Sequence, residues 1–101
     1  MILRDKDRQT LISIFSSMNY QMDVWAYGSR VNGSAHSGSD LDLAIRGKNS
    51  QSLPLDVYSK LLEKIQDSNI PILVDIKDFY ALPNKFRQNI ESKYEVLYSS
   101  H

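Results

Sequence analysis

Two aspartates stand two residues apart in the stretch 40-DLDLAIRG-47, alternating with leucines. On a strand both carboxylates leave the same face, about 6.6 Å apart along the chain. Headgroups that close can bracket a divalent cation. Without one they repel, and one of the pair keeps its proton to higher pH. Aspartate is a poor strand former, so two at the head of a strand need a chemical reason. A third acid, Asp75, interrupts the apolar run 72-ILVDIK-77. If that strand pairs with the first, Asp75 comes beside Asp42. Three carboxylates on one sheet face make a hard oxygen site suited to Mg²⁺ or Mn²⁺. Upstream, 22-MDVWAYG-28 runs into Ser29. Gly28 lets the backbone approach a ligand closely. A helical turn after it aims free N–H groups and the Ser29 hydroxyl at a phosphate, and Arg30 can add charge. The chemistry indicated is a phosphate-bearing substrate gripped at one end, with metal ions at the other.

Each feature has a plainer reading when taken alone. Asp40 and Asp42 suit the solvated face of an edge strand, Gly28, Gly33 and Gly38 suit turns, and Asp75 suits an exposed strand acid or a cap. Their coincidence in one short chain favours the site. His36 reads as an exposed loop residue in preference to a base or ligand. Other chemistries fail on inventory. The chain has no cysteine, which excludes disulfides, thiolate zinc sites and a cysteine nucleophile. Neither a G-x-x-x-x-G-K-[ST] loop nor a G-x-G-x-x-G fingerprint occurs. His36 and His101 lie outside any nucleophile-elbow context.

These side chains need a frame. Leu11, Phe15 and Met18 recur at helical spacing, with Ile12 and Ile14 widening the stripe, so a helix is expected over 5–19 with Asn19 as its stop. Residues 22–28 read as a strand and 29–33 as a short helical turn. The strand over 40–47 turns Asp40, Asp42 and Ala44 one way and Leu41, Leu43 and Ile45 the other. A second helix is expected from Pro54, with Tyr58, Leu61, Leu62 and Ile65 as its apolar stripe, ending near Asp67. A strand over 72–77 and a helix after Pro83 follow, with Phe86 and Ile90 four apart. Residues 94–99 suit a short strand or an extended tail. The order α-β-β-α-β-α predicts an α+β domain, a small mixed sheet with helices packed on one side. The first two strands are antiparallel or irregularly joined, and the third, after its crossover, can run parallel to one of them. Trp25 and Tyr27 are expected under a helix.

At 101 residues the chain is expected to be one domain, residues 1–101, with a single modest core. Twelve basic and twelve acidic residues give zero formal net charge, which argues against stable nucleic-acid binding through a broad basic face and leaves room for a small phosphate ligand. The charged start and the lack of a long apolar run predict no membrane association and a cytoplasmic location.

Tyr27-Gly28-Ser29, about ten residues, Asp40-Leu41-Asp42-Leu43, then Asp75 in V-D-I: this arrangement resembles the polymerase β-like nucleotidyltransferases, and G-S-R-x-x-G with S-D-L-D-L resembles their minimal prokaryotic members. The resemblance covers nearly the whole chain. It implies that Asp40, Asp42 and Asp75 are catalytic and hold two Mg²⁺ ions, with Mn²⁺ as a substitute. It implies that Gly28 and Ser29, with Arg30, bind the triphosphate of ATP, and that Asp75 can take the acceptor proton. The minimal family is also similar to the antitoxin half of a toxin–antitoxin pair whose toxin is a small helical HEPN protein, and the implied reaction is AMP transfer to a tyrosine of that toxin. A domain this small is expected to leave the acceptor, and one wall of the cleft, to the partner. The alternative is a non-catalytic nucleotide-binding module that neutralises a helical partner by contact.

Overall fold

The computed structural model describes residues 1–34 and 38–100. Along the chain run α1 (Asp5–Ser17), β1 (Met22–Tyr27), α2 (Ser29–Asn32), β2 (Leu41–Gly47), α3 (Leu55–Gln66), β3 (Val74–Asp78), α4 (Asn84–Ser92) and β4 (Glu95–Ser99). Single 3-10 turns lie at Lys48–Ser50 and Phe79–Ala81. The strands form one sheet in the order β3-β2-β1-β4. β1 is antiparallel to both β2 and β4, whereas β3 is parallel to β2. A parallel pair needs a crossover, which α3 supplies. The C-terminal stretch is thus a true edge strand, and the mixed α+β sheet expected from the sequence is present.

Local chemistry explains where the elements stop. α1 ends at Ser17, two residues earlier than expected, with Met18 as its cap, and Asn19 then takes a left-handed φ of 54°, a conformation that asparagine tolerates at helix ends. α3 starts after Pro54, whose carbonyl accepts the Tyr58 N–H at 3.0 Å. β3 begins at Val74, not at residue 72. Pro71 has no N–H to give, and ladder bonding starts where the Leu41 N–H donates to the Leu73 carbonyl at 2.9 Å. β2 begins at Leu41, so Asp40 is the residue immediately before the strand.

The period-2 alternation of the strands separates two environments. One face carries Val24, Ala26, Leu41, Leu43, Ile45, Ile76 and Leu97, packed with Leu11 and Phe15 of α1 and Leu61 and Ile65 of α3. Burying each of the large side chains contributes on the order of 1.5–3 kcal/mol, so this is the core that holds the domain together. The other face carries Trp25 and Ala44, packed with Phe79 and with Ile90 of α4. Helices α1 and α3 therefore share one side, as expected, but α4 lies on the other. Its apolar pair Phe86 and Ile90 finds its partners in Trp25 and Tyr27, which point away from the main core. No helix among the described residues is long and apolar enough to cross a membrane.

Candidate active site

The register of the sheet assembles the acids. Tyr27 of β1 pairs with Asp42 of β2, and Asp42 pairs with Asp75 of β3. Side chains directly across a sheet share a face, so these three form one row. The next row on the same face is Trp25, Ala44 and Lys77. The sequence placed Asp75 beside Asp42 only on condition that the strands pair, and they do. Asp40 is exposed and stands at the approach to β2.

Asp42 is half-buried, and its carboxyl is pushed up by that burial first, then by the charges of Asp75 and Asp40, while the charge of Lys77 opposes. The donor set is all oxygen, the kind that divalent Mg²⁺ or Mn²⁺ accepts. A cation there would relieve the mutual repulsion that raises the proton affinity of Asp42, so the residues fit such an ion. Among the described residues the acids do not close into a ligand cage by themselves. Asp75 instead accepts from Lys77, whose Nζ lies 3.1 Å from its Oδ2.

Gly28, expected at the phosphate turn, lies close to this row. Its φ of 79° and ψ of −155° place it where side chains are strained. A Cβ at Gly28 would also lie 2.5 Å from Asp42 Oδ2. Two independent constraints therefore require glycine, and the second shows how close the turn lies to the acids. Beyond it the Val31 and Asn32 N–H groups both donate to the Gly28 carbonyl at 3.0 Å, closing the turn of α2, with Gly33 in the left-handed region at its end. Ser29 is half-buried at the start of that turn.

Arg30 is placed differently from its expected role at the phosphate. It is 5% exposed. Its Nε and Nη2 donate to the Ser39 carbonyl at 2.9 and 2.8 Å, and its Nη1 donates to the Ile2 carbonyl at 2.6 Å. One residue along α2 turns a side chain by about 100°, which directs Arg30 to the N-terminal segment and to the residue just before Asp40. His36 and His101 lie outside the described residues.

Two residues of this face were read otherwise from the sequence. The sequence reading gives Tyr27 as a packed aromatic and as the hydrophobic residue before Gly28-Ser29, with no role for its hydroxyl, which is buried with no hydrogen-bond partner. Burial, and then the charges of Asp42 and Asp75, raise its proton affinity. The clue was position: Tyr27 ends β1 and pairs with Asp42 in the hairpin. Lys77 has no role in the sequence reading, and its spacing of two from Asp75, which puts both on one strand face, is the available signal.

A family model described as polymerase beta, nucleotidyltransferase, matches residues 9–101. A probable protein adenylyltransferase, MntA, of Haemophilus influenzae is 41% identical over 76 residues. That match covers 73% of this chain and 63% of the relative, so the chain spans less than two thirds of the curated protein's length. Among solved structures, a chain from the crystal structure of a toxin–antitoxin with AMP-PNP superimposes with a TM-score of 0.69 at 19% identity, covering 94% of this chain and 75% of that one. At that identity the likeness is one of fold.

Proposed function

The chain belongs to the polymerase beta nucleotidyltransferase family, and on that premise we propose that it transfers AMP from ATP to a hydroxyl of a partner protein. The acceptor in this reading is a tyrosine of a helical HEPN-type toxin, and the chain acts as its antitoxin. The observation that carries the reading is the close approach of Gly28 to the Asp42 carboxylate, which leaves no room for a Cβ, with Asp42 in register with Asp75. It supports reading the expected phosphate turn and the acids as one site. The description of the Haemophilus influenzae relative as a probable protein adenylyltransferase supports a protein acceptor.

Asp40, Asp42 and Asp75 would hold the divalent ions. When bound, such ions supply Lewis-acid activation and neutralise charge on the phosphates. The open backbone of Gly28 and the N–H and hydroxyl of Ser29 receive the terminal phosphates and fix the α-phosphorus near the acids. The acceptor oxygen forms a bond to the α-phosphorus while the bond from that phosphorus to the bridging oxygen breaks. Pyrophosphate leaves with the electron pair, and the acceptor proton passes to Asp75.

The test is transfer of label from α-labelled ATP to the purified helical partner in the presence of Mg²⁺. Wild type is expected to label the partner, and Asp42→Asn is expected not to. No labelling by wild type, or equal labelling by Asp42→Asn, would sink the proposal.

A further inference from the structure

Beside the acids, on the far side of Tyr27, a cavity of about 380 Å³ opens between the end of β1 and α4. Tyr27 and Gly28 form its inner wall, Phe86 and Asn89 of α4 its outer wall, and Asn32 and Lys93 also line it. We propose that this cavity receives the nucleoside half of the donor nucleotide, with Phe86 as the stacking surface for the base and the Asn32 and Asn89 amides as its hydrogen-bonding edge. The proposal rests on the nucleotidyltransferase reading and adds the residues that hold the part of the substrate other than its phosphates.

The lining suits a heteroaromatic ring. Phe86 is 38% exposed although it sits on the inner side of a helix. Its ring stands edge-to-face with Tyr27, centroids 6.3 Å apart and planes at 85°. The two rings brace each other and leave aromatic surface open to the cavity. Each asparagine amide offers both a donor and an acceptor, the combination that base edges and ribose hydroxyls require. The volume falls within the range of small-molecule sites.

Continuity with the phosphate turn chooses the nucleoside over the acceptor. The cavity shares Gly28 with that turn, and Gly28 lies so near Asp42 that an added Cβ would collide with its Oδ2. A nucleotide with its terminal phosphates at Gly28–Ser29 places its leaving group on the same side as the cavity. In an in-line displacement the acceptor must approach opposite the leaving group, which excludes it from this side. The 5′-oxygen that carries the nucleoside lies off the line of attack and is free to turn into the cavity. Tyr27 serves both compartments: its ring lines the cavity, and its hydroxyl is buried without a partner in the row of Asp42 and Asp75.

The experiment compares equilibrium binding of ATP and of inorganic tripolyphosphate, each with Mg²⁺, to wild type, Phe86→Ala and Asn89→Asp. Both positions are exposed on α4, and circular dichroism checks that the variants fold. Loss of one base–aromatic stacking contact is expected to weaken ATP about tenfold and to leave tripolyphosphate unchanged. Asn89→Asp is expected to weaken ATP in the same selective way. If wild type binds ATP and transfers AMP but both variants bind ATP as tightly as wild type, the cavity inference is overturned and the activity stands. A rise confined to the KM for the acceptor protein would place the acceptor there and also overturn it. If wild type binds neither ligand, the nucleotidyltransferase reading falls, and this inference falls with it.

Discussion

Asp7, near the start of α1, is 3% exposed and lies against Arg4, whose Nε and Nη2 donate to its two oxygens at 2.9 and 3.0 Å. Asp42, on β2, faces Asp75 and Asp40 instead. The consequences are opposite. The Arg4 hydrogen bond and charge hold the Asp7 carboxyl below its ordinary range despite its burial. Burial and like charges push the Asp42 carboxyl up. The first acid is matched within the chain, at the entry to the helix that covers the main core. The second is left with a surplus of negative charge on the opposite face. A small domain gains no stability from crowding three carboxylates, so their crowding reads as capacity for a cation.

Asp42→Asn should break this contrast with the largest effect. Transfer of AMP is expected to fall by at least about 10²–10³-fold, the scale for deleting one preorganised charge-stabilising group. The melting temperature is expected to stay level or rise. A carboxyl whose folded-state proton affinity is raised loses stability as pH climbs through that range, so at neutral pH its ionisation opposes folding, and the amide removes the cost. Below the unfolded value of about 3.9 the gain should vanish. Mg²⁺ provides the companion measurement. At about a hundred times its Kd a ligand of the native state adds about 2.7 kcal/mol, which for a domain of this size is on the order of 10 °C. Wild type should show that shift in a thermal melt. A shift of equal size in Asp42→Asn would show that the acids are not the ion's site.

Much of this face was legible because strands alternate. The two-residue spacing of Asp40 and Asp42, and a charged residue between Val74 and Ile76, announced a chemical face before any pairing was known. The register of Asp42 with Asp75 then followed from α3 crossing over into a parallel neighbour. Other features were not legible for reasons that are equally local. Arg30 follows Gly28 and Ser29 in sequence, and adjacency suggested a phosphate contact. In a helical turn adjacent side chains diverge, and Arg30 reaches Ile2 and Ser39. The Phe86 and Ile90 spacing shows that α4 has an apolar stripe but carries no information on which sheet face receives it. The side of a helix is set by loop length and by what the other face already holds, and here α1 and α3 fill the first face. Asp40 falls one residue outside its strand because pairing begins at the Leu41 N–H.

Lys77 offers a smaller and sharper test of the imbalance. Among the described residues its ammonium is the charge that opposes the repulsion at Asp42, and it lies 3.1 Å from Asp75 Oδ2. The side chains are 35% and 42% exposed, so the pair belongs to the weak class, worth about 0.2–1 kcal/mol. Lys77→Met removes a cation that competes for the same carboxylate while keeping the length of the side chain. Titration of Mn²⁺ should show affinity increased by up to about fivefold, as that energy allows, with little change in the melting temperature. Weaker metal binding in Lys77→Met would mean that Lys77 holds Asp75 in its ligating position, and the picture of a competing internal cation would be wrong.

Asp7→Asn probes the matched acid, and its effect should be the smallest and the most dependent on conditions. The amide keeps the shape of the side chain and one acceptor for Arg4, so the substitution isolates charge. Because the folded carboxyl is held below its ordinary range, its contribution is fully present above the unfolded value of about 3.9 and disappears as pH falls through the folded value. The stability difference between wild type and Asp7→Asn in urea should therefore be greatest near neutrality and close to zero in strong acid. Arg4 is 61% exposed on its side chain, so salt should shrink the difference as well. AMP transfer should not change, since Asp7 lies on α1, across the sheet from the acid row. A substitution at Asp7 that lowered transfer with stability intact would connect the two acids, most directly through Arg30, whose charge also acts on Asp7 and whose guanidinium holds the residue before Asp40.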